Sequence, residues 1–298
     1  MPGQVPAGLA PSGSGALAGL PRGPASTGLL QLTVPWRTLA GILAEPGQLS
    51  RLGAVTPQTA RHLADAASRD PGTEWKVIVT DGGGQAIAVT RVRRSRARAP
   101  GSLPATGLVR RVTLVVPASL AYDAGRQASG YSAGRAGRRA RAPAQPSAPE
   151  SAPHPVVPAP GGLGGILAAA LKAAWLATAS GYADVSEVAA ASNGGCTHRR
   201  SSPAYRPPPR LREYVAARDQ TCRSPVCRQP ASRADQDHTI PYHQGGRTCD
   251  CNLGGACRTH HRLKQRPGWQ LTQPQPGTFT WTTPAGRTYT QTPDPYLA

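Results

Sequence analysis

All six cysteines of this chain lie between Cys196 and Cys257, and four of its seven histidines lie between Asp237 and Lys264. The latter run reads DHTIPYHQGGRTCDCNLGGACRTHHRLK. A disulfide framework spreads its cysteines through a small secreted domain, whereas a tight group with interleaved histidine points to metal ligation in a reducing compartment. Two close pairs stand out. Cys222 and Cys227 bound CRSPVC, a C-x4-C pair, and Cys257 and His260 bound CRTH, a C-x2-H pair. Four nitrogen and sulfur donors in two pairs suit a tetrahedral, structural Zn²⁺. Cys249 and Cys251 complicate the set: they could displace or supplement these ligands, or be small buried residues.

The same run carries proton chemistry. Consecutive helical residues point about 100° apart, so His260 and His261 cannot both serve one site from a helix. One can close the zinc set with Cys257 while the other looks toward His238. Phosphodiester hydrolysis needs a base to activate water and a cation to stabilise the leaving oxyanion. A neutral histidine is a suitable base near pH 7. A carboxylate and an imidazole can hold one divalent ion, such as Mg²⁺ or Mn²⁺, and leave room for phosphate oxygens and water. Asp237, His238 and His261 supply those parts, and Asn252 can fix the loop by bonding backbone groups around His238. A larger zinc ribbon with extra surface histidines is the plainer alternative.

Around this block the chain divides by composition. Residues 1–28 are rich in Pro, Gly and Ser and are expected to be disordered. Residues 29–92 read as a small α+β piece. LLQLTVPWRTLAGIL offers a β-prone run and then a helix-compatible stretch, and Thr56 and Pro57 open a helix as cap and first residue. His62 reads as a surface residue of that helix. Trp75–Thr80 and Ala86–Val92 read as two strands joined by DGGG. Residues 93–204 are expected to be a low-complexity Arg/Pro/Ala-rich linker with one or two short helices. From Arg91 to Arg141 there are twelve arginines against Asp123 alone, a composition that cannot bury enough apolar surface to order itself. Within it LVRRVTLVVPASL could form one isolated strand and ILAAALKAAWLATA reads as a helix; His154, Cys196 and His198 receive no role. From Tyr205 a proline run feeds a helix, Arg210–Arg218. After the His/Cys run, three short strands are expected at about 269–273, 278–283 and 287–291.

The order Asp-His, Gly-Gly, Asn-Leu, Cys-x2-His-His-x2-Lys closely resembles the HNH nucleases of the ββα-metal (His-Me finger) superfamily. The matching residues are Asp237, His238, Gly245, Gly246, Asn252, Leu253, Cys257, His260, His261 and Lys264. The resemblance implies His238 as general base, Asp237 and His261 as ligands of the catalytic metal, and Asn252 as a loop support. The family's zinc signature is two C-x2-C pairs; here one pair is C-x4-C and His260 stands for the last cysteine. Residues 205–298 resemble the nuclease end of proteins from high-GC bacteria, and TVPWRTLAGIL through WKVIVTD is similar to the last part of the helical domain of unknown function that precedes it there. The fold this implies is α+β: a C-terminal HNH domain (205–298) with a zinc knuckle and a small β-meander, preceded by a partial domain (29–92) and a disordered linker (93–204).

Charge agrees with a polyanionic partner. Lys and Arg number 34 against 15 acids, a net +19, and within 205–298 they number thirteen against six. Arg247, Arg258, Arg262 and Lys264 are the candidates to grip DNA phosphates. Phosphate contacts position a nucleic acid without reading its sequence, so low sequence specificity is expected. The reading is a metal-dependent DNA endonuclease; the alternatives are a non-catalytic zinc-stabilised DNA-binding module and an inactive remnant of an HNH protein. The first twenty residues lack a basic segment before an apolar core, and GGLGGILAAALKAAWLATAS is interrupted by Lys172. Neither a signal peptide nor a membrane span is expected, and a cytoplasmic location is the default.

Overall fold

The computed structural model describes residues 30–92, 109–133, 162–181 and 200–297, without the side chains of 127–133 and 179–181. The expectations for 1–28, and His154, Cys196 and His198, lie outside the described residues. The fold is α+β. Strands β1 (Leu30–Pro35), β2 (Gly47–Leu49), β3 (Gly53–Val55), β4 (Glu74–Thr80), β5 (Ala86–Arg91) and β6 (Val109–Pro117) form one mixed sheet in the order β3-β2-β1-β6-β4-β5. β6 lies at its centre, parallel to β1 and to β4, and the other neighbours are antiparallel.

Period-two alternation sends one set of side chains from the central strands to a common face. Leu32 and Val34, Val112, Leu114 and Val116, and Trp75, Val77 and Val79 are all buried there. Helices α1 (Trp36–Leu39), α2 (Pro57–Arg69), α3 (Ala118–Ala133) and α4 (Gly162–Gly181) bury small apolar residues in that core, among them Ala60, Ala64, Ala121, Ala170 and Ala174. The α2 cap forms as its sequence dictates: Thr56 Oγ1 accepts from the Thr59 amide at 3.2 Å.

Two expectations for the 93–204 segment need correction. The strand expected to be isolated is β6, paired on both sides, because its partners come from the preceding unit and parallel pairing leaves no local turn signal in the sequence. The Ala-rich helix is not a linker element either. α4 buries Ile166 and Leu167, and the Leu167 carbonyl accepts from Trp36 Nε1 at 3.0 Å. Its small side chains allow close packing, which composition alone disguises as low complexity. Among the described residues no helix is long and apolar enough to cross a membrane.

The C-terminal unit starts with α5 (Pro209–Asp219), close to its expected span. A two-stranded sheet of β7 (Asp235–His238) and β8 (Leu253–Ala256) leads to α6 (Arg258–Lys264). The meander β9 (Gln270–Gln275), β10 (Thr278–Thr282) and β11 (Thr288–Gln291) follows, near the three expected positions. Phe279 and Trp281 of β10 are buried against β8; a Cβ at Gly254 would lie 2.3 Å from Phe279 Cζ, so only glycine lets β8 approach so closely. A buried ion pair fixes the loop before β8. Arg218 Nε lies 2.7 Å from Asp219 Oδ1, and the guanidinium donates to the carbonyls of Asp250 (2.6 Å) and Leu253 (2.8 Å). Asp219 Oδ2 accepts from the Gly255 amide at 2.7 Å. Such a buried pair is tolerable because every charged group has a hydrogen-bond partner.

The two units touch directly. Tyr296 bridges them, its hydroxyl donating to Ala217 O at 2.7 Å and its amide to Gly84 O at 2.8 Å. Arg91 of β5 pairs with Glu213 of α5 at 2.6 Å.

Candidate functional site

The sulfur and nitrogen donors converge as their spacing suggests. The donor atoms of Cys222, Cys227, Cys257 and His260 all lie within 4.8 Å of one another. Cys222 and Cys227 come from the loop after α5, Cys257 from the N-cap of α6, and His260 from its first turn. His260 Nδ1 lies 3.6 Å from Cys222 Sγ and 3.1 Å from Cys257 Sγ. Tetrahedral zinc with ordinary Zn–S and Zn–N bonds holds such donors roughly 3.6 Å apart. The group fits one metal ion of that kind. Burial pushes the Cys222 thiol up to about 12, so its thiolate depends on a nearby positive charge. Cys257 is shifted the other way: burial opposes its charge, but hydrogen bonds, with the His260 amide foremost, outweigh it. Burial lowers the pKa of His260, which favours the neutral, ligating form.

The neighbouring residue on α6 faces elsewhere. His261 Nδ1 lies 2.9 Å from Asp235 Oδ2, and its Nε2 lies 3.4 Å from Asp237 Oδ1. Asp235 and Asp237 are two residues apart on β7 and therefore share one face of the strand. Lys264 Nζ lies 2.6 Å from the other oxygen of Asp237 and donates to His238 O at 2.5 Å. An Nδ1–H bond to Asp235 leaves the Nε2 lone pair aimed at a carboxylate oxygen. That arrangement calls for a proton or a cation between them, and a carboxylate–histidine–metal relay has this form. The span between Asp237 Oδ1 and His261 Nε2 suits two adjacent ligands of a divalent ion.

His238, the last residue of β7, is buried. The His238 ring stacks on Tyr205 with centroids 5.4 Å apart and meets Tyr242 edge-on at 5.7 Å. Its Nε2 lies 2.8 Å from Thr248 Oγ1, and that hydroxyl donates to Tyr205 O at 3.3 Å. With its proton committed there, Thr248 accepts from Nε2–H, leaving Nδ1 as the basic atom. Burial lowers the His238 pKa, against Asp237 which raises it and with Lys264 which lowers it.

Asn252 makes the loop bonds its position calls for. Its Oδ1 accepts from the Ile240 amide at 2.8 Å, and its Nδ2 donates to Ile240 O (3.0 Å) and Arg247 O (2.9 Å). Gly246 sits inside this clasp: a Cβ there would lie 1.9 Å from Ile240 O.

Of the cations expected to grip phosphates, Arg247, Arg258 and Arg262 are exposed. Arg258 also reaches Asp235 at 3.2 Å. Lys264 does not belong with them, since its side chain is turned inward onto Asp237 and His238. Cys249 and Cys251 form, with Asp250, a second group whose donor atoms lie within 4.8 Å of one another and could hold a metal. Arg200 already pairs with Asp250 at 3.1 Å, and a hydrogen bond with Cys251, followed by burial, holds the Cys249 thiol protonated. None of the five described cysteines is in a disulfide. Sequence reading missed Asp235, although D-x-D on a strand places both carboxylates on one face. It also missed Thr248 and Tyr205, whose roles depend on tertiary approach.

No family model matches the chain, and no solved structure matches it. The chain is similar to Uncharacterized protein Rv3776 of Mycobacterium tuberculosis (strain ATCC 25618 / H37Rv), at 50% identity over 96 residues, which are 32% of this chain and 18% of that protein. Uncharacterized protein Rv2100 of the same strain is 47% identical over 94 residues, 31% of this chain and 17% of that protein. The chain thus spans less than a fifth of the length of these curated relatives.

Proposed function

We propose that the chain is an endonuclease of the HNH (ββα-metal) type, hydrolysing DNA phosphodiester bonds with low sequence specificity. The observation that carries the reading is the division of two adjacent histidines: His260 joins the zinc-type donors, while His261 Nε2 faces Asp237 Oδ1 at 3.4 Å. The surrounding order is two antiparallel strands and a helix, with Asp237 and His238 on the first strand, Asn252 just before the second, and His261 on the helix. This order supports the reading.

In this reading Cys222, Cys227, Cys257 and His260 hold a structural zinc that anchors α6. Asp237 and His261 would hold a divalent ion such as Mg²⁺ or Mn²⁺, which would supply positive charge against the departing oxygen. His238 takes a proton from the attacking water at Nδ1, its Nε2–H being committed to Thr248. Asp235 fixes the His261 tautomer, and Lys264 holds Asp237 in place. Asn252 keeps the His238 loop closed. The clustered, unbridged cysteines fit a zinc protein of a reducing compartment, the cytoplasm.

A plasmid-nicking assay of the zinc-loaded chain with Mg²⁺ or Mn²⁺ tests the reading. Wild type is expected to convert supercoiled to open-circular plasmid, and His238→Ala to lose at least about 100-fold of that rate. Equal activity of folded His238→Ala, or none in folded wild type, overturns it. DNA binding without cutting would instead favour a zinc-stabilised binding module.

A further inference from the structure

The two units enclose a cleft of about 1710 Å³ that opens on Asp235 and His261. One wall is the face of the large sheet turned away from the helices, where Lys76, Arg110 and Arg111 project from β4 and β6. The facing wall carries Arg206, Arg212 and Arg233. Nine Lys and Arg line the cleft against three carboxylates, leaving +6 with histidine neutral. Tyr205 also lines it; 61% of this residue is exposed, while its ring stacks on His238.

We propose that this cleft binds single-stranded nucleic acid, with the N-terminal sheet serving as half of the clamp. Charge selects a phosphate backbone, and an exposed aromatic ring beside a basic groove selects an unpaired base, because any base can stack on it. The walls are tied to each other by Arg91–Glu213 and by Tyr296 on Ala217 and Gly84, which holds the width of the opening. Binding at this cleft does not depend on catalysis; only the delivery of the strand to Asp237, His238 and His261 rests on the nuclease reading.

Fluorescence anisotropy of the full, zinc-loaded chain without added Mg²⁺ or Mn²⁺ tests the proposal, using labelled dT12, U12 and a 12-base-pair duplex as probes. Both single strands are expected to bind more tightly than the duplex. Arg110→Gln/Arg111→Gln is expected to weaken dT12 binding about tenfold and to flatten its log–log salt dependence by about 1.4, the share of two phosphate contacts on a single strand. Arg206→Gln/Arg212→Gln, on the facing wall and away from the sheet, is expected to do the same and serves if the sheet variant fails to fold. Tyr205→Ala is expected to weaken dT12 binding by about tenfold with little change in salt slope. The exposed pair Arg266→Gln/Arg287→Gln, outside the cleft, is expected to bind as wild type does. Wild-type affinity and slope in both wall variants would overturn the proposal, as would tighter binding of the duplex. If those variants bind normally while wild type still nicks plasmid, the cleft assignment fails and the nuclease reading stands. If the wall variants bind weakly and no cutting occurs, the cleft stands and the nuclease reading fails.

Discussion

The Asp235 carboxylate lies 2.9 Å from Nδ1 of His261, which leaves Nε2 of the same ring facing Asp237. Asp235 therefore acts through His261, as a partner that fixes its tautomer and orientation. Replacing Asp235 with Asn removes the charge and allows the ring to turn. Outer partners of this type typically contribute 10–100-fold in metal affinity. Mn²⁺ affinity of Asp235→Asn, followed by electron paramagnetic resonance on the zinc-loaded chain, is expected to fall by about that factor with zinc content unchanged. Unaltered Mn²⁺ affinity would remove Asp235 from the site.

Gly246 and Asn252 form the clasp that closes the loop after His238. Adding a Cβ at Gly246 drives it to 1.9 Å from the Ile240 carbonyl, a contact with backbone that no side-chain rotation relieves. Gly246→Ala is expected to destabilise the C-terminal unit by about 3 kcal/mol. Asn252→Ala leaves the part-buried Ile240 amide and the Ile240 and Arg247 carbonyls without Asn252 and is expected to cost about as much. Urea unfolding checks both; midpoints unchanged from wild type would show that the loop is held by other contacts.

Local patterns carried much of this architecture. Thr56 and Pro57 announced α2, the DGGG turn announced β4 and β5, and the alternation after Gly268 announced the meander. Composition misled where the order comes from distant partners. Val109–Pro117 is flanked by arginine-rich sequence, yet β1 and β4 bracket it from segments that are remote along the chain. The doubled histidine was legible as two directions, because the helical period forbids a shared one. Its second partner was not, since which face of β7 receives His261 depends on how α6 packs on the strands. Arg218 and Asp219 look like surface residues in sequence, and only the docked loop shows them as a buried tie.

The buried His238 ring has its pKa lowered, mainly by burial. A lowered histidine pKa means that the unfolded chain binds more protons than the folded one once pH falls below the unfolded value of about 6.5. The contribution to stability is fully present above that value and is lost as pH falls through the folded pKa. In the zinc-loaded chain, NMR titration of the His238 ring is expected to give a midpoint below 6.5, and its exchange for Gln to reduce the acid sensitivity of the melting temperature between pH 6.5 and 5. A midpoint above 6.5 would contradict a neutral base at this position.

The zinc set and the Cys249–Asp250–Cys251 group make opposite predictions. Cys222 is buried and lies close to Cys227, Cys257 and His260, so removing its sulfur would leave three donors for a metal ion. Structural zinc contributes an apparent binding free energy on the order of 10 kcal/mol near pH 7. Total stabilities are about 5–15 kcal/mol, so loss of the ion outweighs most of what holds the unit folded. Elemental analysis is expected to find about one zinc per wild-type chain, and Cys222→Ser to lose both the metal and the cooperative unfolding of the C-terminal unit. Cys251→Ser, in the other group, is expected to retain zinc and to melt within a few degrees of wild type. Two zinc ions per wild-type chain, with one lost from Cys251→Ser, would instead assign a metal to the second group and give Cys249 and Cys251 the ligand role that Arg200 on Asp250 argues against.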